Sequence, residues 1–316
     1  MALDLLTFGE ALVEVMRTKV GHPLDRPELF TGPYPSGAPF IFAAQAARLG
    51  AKVGAIGAVG ADAFGKCLRD QLIADQVDVR GLYTLEGYTT GVAFVAYNPD
   101  GSRDFVFHAR HAAAGQLNSS MLTANMFEGL KCLHIMGSTL SIHEQALQMG
   151  LQALTMAQQV GAKISFDPNL RPQLLPPEQA CIAFQPFVAA ADVLLPTAHE
   201  AMLLTGTHTA DQAIAALLAS KEGRCVILTE GADGCTVYQN GTAPFKVPGF
   251  PVEEVDPTGA GDCFDAGFLT RWLAGDSPET AARFANACGA LAVTAMGPMA
   301  GARVHVEVEA FLVAQC

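Results

Sequence analysis

Val255-Asp256-Pro257-Thr258-Gly259-Ala260-Gly261-Asp262-Cys263-Phe264-Asp265-Ala266-Gly267-Phe268 reads as the end of a strand, a glycine-rich turn and an amphipathic helix running to Gly275. Gly259 and Gly261 remove side chains where the backbone must turn tightly and approach a ligand. The N–H groups of Gly259, Ala260 and Gly261 then point outward at the positive end of a helix dipole. Such a nest suits a phosphate or another developing anion. Asp262 lies in the same turn, and a carboxylate there would repel a phosphate that was merely bound. It has a purpose if it takes a proton from a hydroxyl while the nest stabilises a transferring phosphoryl group. Asp is also a common helix N-cap residue, and the turn taken alone leaves that plainer reading open.

Composition narrows the setting. The 316 residues suffice for a substantial core, and with 50% hydrophobic and 16% charged residues the chain is globular rather than disordered. A net charge of −12 argues against nucleic acid or an anionic membrane as partner. Eight scattered cysteines, with no Cys-x-x-Cys pair, read as free thiols in a reducing, cytoplasmic compartment. No apolar run reaches transmembrane length, and the N-terminus lacks the basic flank of a signal peptide.

Leu3–Phe8 reads as a buried first strand, Leu12–Val15 continues it, and the Pro/Gly-rich segment up to Pro35 reads as loop. A small-residue turn at 34–39 leads into an alanine-rich helix stopped by Gly50. Gly91–Tyr97 and Ser102–Phe107, joined by Asn98-Pro99-Asp100-Gly101, form the clearest hairpin. From Leu130 onward, apolar strands at 133–136, 163–167, 193–195 and 225–229 are separated by helices near 143–160, 177–189 and 210–221. Strands this apolar, each followed by a helix, predict a parallel sheet covered on both faces. Ligands in such sheets gather at the carboxyl ends of the strands. Asp167-Pro168-Asn169-Leu170-Arg171, Thr197–Glu200 and Thr229–Gly234 each follow a strand immediately.

The long turn motif Asp-Pro-Thr-Gly-Ala-Gly-Asp-x-Phe-x-Ala-Gly-Phe resembles the C-terminal signature of the ribokinase/fructokinase family of carbohydrate kinases. Further matches follow in the family's order along nearly the whole chain, at Ala43–Gly50, at Gly60–Gly65 and at Thr229–Gly234. The resemblance implies a ribokinase-like α/β fold: one kinase domain over 1–316, its mostly parallel sheet covered by helices on both faces. A small β-sheet lid over the sugar would come from about 11–35 and 89–111, and it would exclude water that competes as phosphoryl acceptor. It implies ATP-dependent phosphorylation of a small sugar, with Mg²⁺ on the phosphates and K⁺ beside the anion hole, and a homodimer through the lid as a mode of assembly.

Residue by residue, Asp262 becomes the catalytic base and Gly259, Ala260 and Gly261 the anion hole. Thr229, Gly231 and Gly234 lie along the nucleotide phosphates, and Asn286 matches a position near the adenine. Thr197 and Glu200 stand for the family's Asn-x-x-Glu, linked indirectly to Mg²⁺, and Asp256 for the monovalent-cation ligand. On the sugar side stand Glu14, Gly37, Ala38, Ile41, Asp167, Arg171 and Asp262. Ile41 occupies the place of a sugar-binding Asn, Thr197 replaces Asn, and Ser36 replaces a Gly. The Phe-Asp-Pro-Asn-Leu-Arg segment favours a ketohexose, fructose or tagatose. His108-Ala109-Arg110 partly matches the Tyr-x-Arg of 2-keto-3-deoxygluconate kinases, which would place Arg110 on a sugar carboxylate. A surface arginine is the plainer alternative. A sugar-binding regulatory protein that has lost catalysis is the reading from another class, and the intact Asp262 turn argues against it.

Overall fold

The computed structural model describes residues 2–315. Its strands are β1 (Leu5–Phe8), β2 (Leu12–Arg17), β3 (Phe30–Ser36), β4 (Val53–Gly60), β5 (Leu82–Leu85), β6 (Gly91–Tyr97) and β7 (Arg103–His108). Then come β8 (Cys132–Met136), β9 (Lys163–Asp167), β10 (Val193–Leu194), β11 (Cys225–Thr229), β12 (Gly234–Gln239) and β13 (Phe245–Pro248). The helices are α1 (Ala38–Arg48), α2 (Ala63–Ala74), α3 (Gly137–Leu140), α4 (Glu144–Gln159) and α5 (Pro177–Ala190). They continue with α6 (Ala198–Thr205), α7 (Ala210–Ala219), α8 (Ala260–Leu273), α9 (Pro278–Ala292) and α10 (His305–Ala314).

A large sheet runs β13-β12-β11-β10-β9-β8-β1-β4-β5, and only β12 lies antiparallel to its neighbours. Successive strand residues feed two separate cores, as the period of two requires. Leu5, Cys132, Met136, Cys225 and Ile227 join α1, α8 and α9 in one core. Leu6, Leu133, Ile135, Val226 and Leu228 join α4, α5 and α7 in the other. The helix-covered sheet is what the apolar strands predict, and its form is the ribokinase-like one that the resemblance implies. The chain leaves β1 for β4 on one side and later returns to β8 on the other, so the carboxyl ends of β1 and β8 flank a switch point where ligands bind.

A separate four-stranded sheet, β3-β2-β6-β7, forms the lid beside these carboxyl ends. Phe30–Ser36, expected as loop, is therefore strand. It sits at the sheet's edge and bonds only β2, which is where Pro33 and Pro35 are tolerated. The short edge strands β5 and β13 and the C-terminal helix α10 were not anticipated either.

Arg224 is fully buried and has no carboxylate hydrogen-bond partner among the described residues. Its guanidinium donates to the carbonyls of Val188, Ala189 and Ala191 at the end of α5, and to Leu217 O and Ser220 Oγ at the end of α7. One cation thus satisfies the exposed acceptors of two helix C-termini. Arg224→Met should cost about 3 kcal/mol or more in urea denaturation, because several buried carbonyls lose their donor at once. A loss within 1 kcal/mol, roughly the value of one ordinary hydrogen bond, would refute this role.

Candidate active site

The turn expected to carry the chemistry sits at the head of α8. Gly259 is the helix N-cap at φ 87°, and a Cβ there would lie 2.5 Å from Pro298 O, so any other residue would strain the turn. The first-turn N–H groups have no carbonyl within their own helix to bond. Asp262 occupies the third helical position, but the helix receives no side-chain cap from it. Among the described residues its carboxylate accepts no hydrogen bond. The capping reading therefore does not describe what this side chain does.

Two cavities meet at the turn. One, of about 600 Å³, is lined by Glu10, Glu14, Arg103, Asp167, Arg171, Glu200, Asp262 and Asp265, among others. The other, of about 580 Å³, is mainly apolar and runs along Phe250, Val252, Phe264, Asn286 and Val293. Thr229, Gly231, Pro257, Ala260 and Gly261 line both. A ligand spanning the two must cross the glycine turn.

Most residues singled out in the sequence come together here. Gly37, Ala38 and Ile41 line the first cavity, Ile41 as an apolar wall with nothing to donate. Ser36, which replaces a glycine, donates its hydroxyl to Glu14 Oε1 at 2.6 Å. Glu14 Oε2 is buried with no partner among the described residues and is left for a ligand. Thr197 and Glu200 form a capping box on α6: Glu200 Oε2 accepts from Thr197 N and Oγ1, and Oε1 accepts from Leu170 N at 2.9 Å. Gly234 and Asn286 line the second cavity, where the Asn286 amide donates to Val247 O and Pro248 O. Asp256 is fully buried. Its Oδ1 accepts from Tyr97 Oη and Thr258 N, and its Oδ2 from Gly297 N.

Arg110 is the exception. It is exposed, donates to Ile142 O, and does not line the cavity. Along β7 and just beyond it, residues 103, 105, 107 and 109 face the cavity, so 110 has the wrong parity and the position beside it is Ala109. The cation that this strand does deliver is Arg103, whose Nη1 donates to Thr258 Oγ1 at 2.9 Å. Sequence reasoning missed Arg103, although its odd position in an alternating strand was a usable signal. It also missed Glu10, held by Ser138 Oγ and Thr139 Oγ1 at 2.8 and 2.6 Å, and Asp265.

Comparison with known proteins agrees with this geometry. The pfkB family carbohydrate kinase profile matches residues 3–304. The chain belongs to the pfkB family of carbohydrate kinases. Fructokinase-1 of Oryza sativa subsp. japonica is 32% identical over 314 residues, covering 96% of both chains. An E. coli protein provisionally named ribokinase II is 40% identical and superposes over 99% of both chains. Its TM-score is 0.93 without ligand and 0.92 as the complex with ATP and Mg²⁺. Fructokinase from Vibrio cholerae O395, solved with fructose, ADP and calcium, is 28% identical with a TM-score of 0.82 over 98% of this chain and 99% of its own. A double mutant of that protein holds fructose, ADP and potassium.

For a kinase the electrostatics of the cavity matter, because carboxylates crowd a site that must admit phosphate. Burial is the main cause that raises Glu10, Glu14, Asp167, Asp262 and Asp265 above the ordinary carboxylate range. Arg171 opposes it at Asp262, which is left at about 7, and Glu14 also rises to about 7. Asp167 lies close enough to Asp265 for their charges to repel, which adds to burial in favouring protonation there. Each raised group binds its proton more tightly folded than unfolded. Its stabilisation is complete below the unfolded pKa and is lost as pH rises through the folded one. The ligand-free protein should therefore lose melting temperature between about pH 4.5 and 7, the ordinary and folded values for Glu14. Glu14→Gln should flatten that fall. A slope identical to wild type would remove Glu14 from the coupled set.

Proposed function

We propose that the protein transfers the γ-phosphoryl group of ATP to a hydroxyl of a ketohexose, fructose or tagatose. One observation carries this reading: Asp262, unengaged and held at about 7, lies where an acid-lined cavity and an apolar cavity meet at an anion-binding turn. The fructose-bound relative and the curated fructokinases support the choice of sugar.

In this reading the sugar occupies the first cavity. Glu14 Oε2, Asp167 and Arg171 orient its hydroxyls, Ile41 packs against its carbon face, and the lid strands exclude water. The nucleotide base enters the second cavity beside Asn286, and its phosphates run past Thr229, Gly231 and Gly234. Asp262 accepts the hydroxyl proton late in an in-line transfer, and the N–H groups of Gly259, Ala260 and Gly261 hold the charge on the moving phosphoryl. Mg²⁺ would supply charge neutralisation on the phosphates. Among the described residues no group of three or more His, Cys, Asp or Glu forms a metal cage, so it would arrive with the nucleotide. Glu200, its oxygens already engaged by Thr197 and Leu170, would reach it through water. Asp256 fits a monovalent cation such as K⁺. It is a buried carboxylate whose donors are all uncharged, and its Oδ2 accepts one N–H.

We further propose one functional domain whose lid comes from residues 11–35 and 89–111. The exposed Phe30 and Val106 on that lid fit a homodimer contact. The described cysteines are all unpaired, which supports a cytoplasmic setting. No helix among the described residues is long and apolar enough to cross a membrane.

The test is ADP release with Mg-ATP and K⁺ against fructose, tagatose, ribose, 2-keto-3-deoxygluconate and adenosine. Turnover is expected on a ketohexose, and Asp262→Asn should lower kcat by about two to four orders of magnitude. Ribose as the preferred sugar would refute the ketohexose reading, and a near-normal Asp262→Asn enzyme would refute the base. Because the base must be deprotonated, kcat/KM should fall about tenfold per pH unit below about 7 and level off above it. A flat profile from pH 5 to 8 would contradict the assignment.

A further inference from the structure

Tyr97 and Arg103 are cross-strand partners at the tip of the β6–β7 hairpin. Each bonds the turn that precedes α8. Tyr97 Oη donates to Asp256 Oδ1 at 2.8 Å, and Arg103 Nη1 donates to Thr258 Oγ1 at 2.9 Å. Asp256 is the hub of that turn. It also accepts from the backbone of Thr258 and of Gly297, while Val255 N and Asp256 N both donate to Val293 O. The turn is thus tied down by its own backbone, by the 293–298 segment and by two lid side chains.

From this geometry we infer that Tyr97 and Arg103 are positioning residues for phosphoryl transfer: they hold the Asp256–Gly259 turn in the conformation that aims its N–H groups. The inference rests on the kinase reading above. The Tyr97 hydroxyl also lies 3.4 Å from Met16 Sδ, and an aromatic ring alone would serve if packing were its whole purpose. Its donated bond satisfies one oxygen of the fully buried Asp256 carboxylate. Arg103 brings a guanidinium to the edge of the anion hole, and it does so from the lid. The same four strands that exclude water therefore also complete the hole. With the lid away, Asp256 and Thr258 each lose a donor, and water would meet ATP at an incompletely ordered site.

The experiment compares Tyr97→Phe and Arg103→Met with wild type as full-length, ligand-free protein. Amide hydrogen exchange at Thr258 and Gly297, both bonded or adjacent to the hub, should speed up about tenfold while strands β8 and β11 stay unchanged. With the best sugar, kcat should fall at least about tenfold with both KM values within about threefold, the pattern of a lost transition-state interaction. The kcat losses of Arg103→Met and Thr258→Val should be non-additive, since both break one contact. Unchanged exchange overturns the latch whatever the turnover. Faster exchange with unchanged kcat overturns the positioning role. A wild-type chain that phosphorylates no sugar defeats the kinase reading separately, and the exchange data still decide whether the lid orders the turn.

Discussion

Carboxylates from five different segments converge on one cavity, and Arg103 and Arg171 are the guanidiniums that line it. Mutual repulsion and lost hydration would make that convergence costly if every group were ionised. The structure answers by giving each carboxylate a different environment. Glu10 is held by two hydroxyls, Glu200 is consumed in a helix cap, and Asp167 accepts the N–H of Asn169. Among the described residues Asp262 has neither cap nor hydroxyl partner. The result is a graded set in which burial, and then Glu10 and Glu14, lift Asp262 toward neutrality while Arg171 keeps it ionisable.

The fold makes this possible by placing much of the site at the carboxyl ends of strands. Glu10 follows β1, Ser138 follows β8, Asp167 ends β9, Thr197 follows β10 and Thr229 ends β11. No single loop could gather them. Helix starts at the same edge supply N–H groups instead of charges, which allows an acidic protein to receive a polyanion.

Legibility in the sequence followed locality. The turn at Asp256–Phe268 could be read because its glycines and Asp262 lie within a few residues, so spacing alone fixes their relation. The alternating strands of the large sheet could be read because their apolar period is two and their connections are helical. What needed two distant segments could not be read. Ser36 looked like a lost glycine, and only the pairing of β2 with β3 shows it holding Glu14. Arg110 was chosen by motif similarity, whereas strand parity sends it outward and turns Arg103 and Ala109 inward. Phe30–Ser36 was read as loop because Pro and Gly weaken strand propensity. An edge position removes that objection, but edge and centre are properties of the whole sheet.

Thr197 and Asn286 show why a residue's chemistry does not by itself reveal its task. Both are singled out as nucleotide contacts, and Thr197 lines the first cavity and Asn286 the second. Yet Thr197 completes a capping box with Glu200, and Asn286 ties α9 to the backbone around β13. These bonds are made within the protein itself. A Thr can replace Asn at 197 because the cap needs an acceptor oxygen and a donor to Glu200, and a hydroxyl supplies both. Glu200 is thereby held rigid beside Asp167 before any nucleotide arrives. Preorganisation of this kind costs nothing at the moment of transfer, which is when a phosphoryl group with spreading negative charge would punish any carboxylate free to swing toward it.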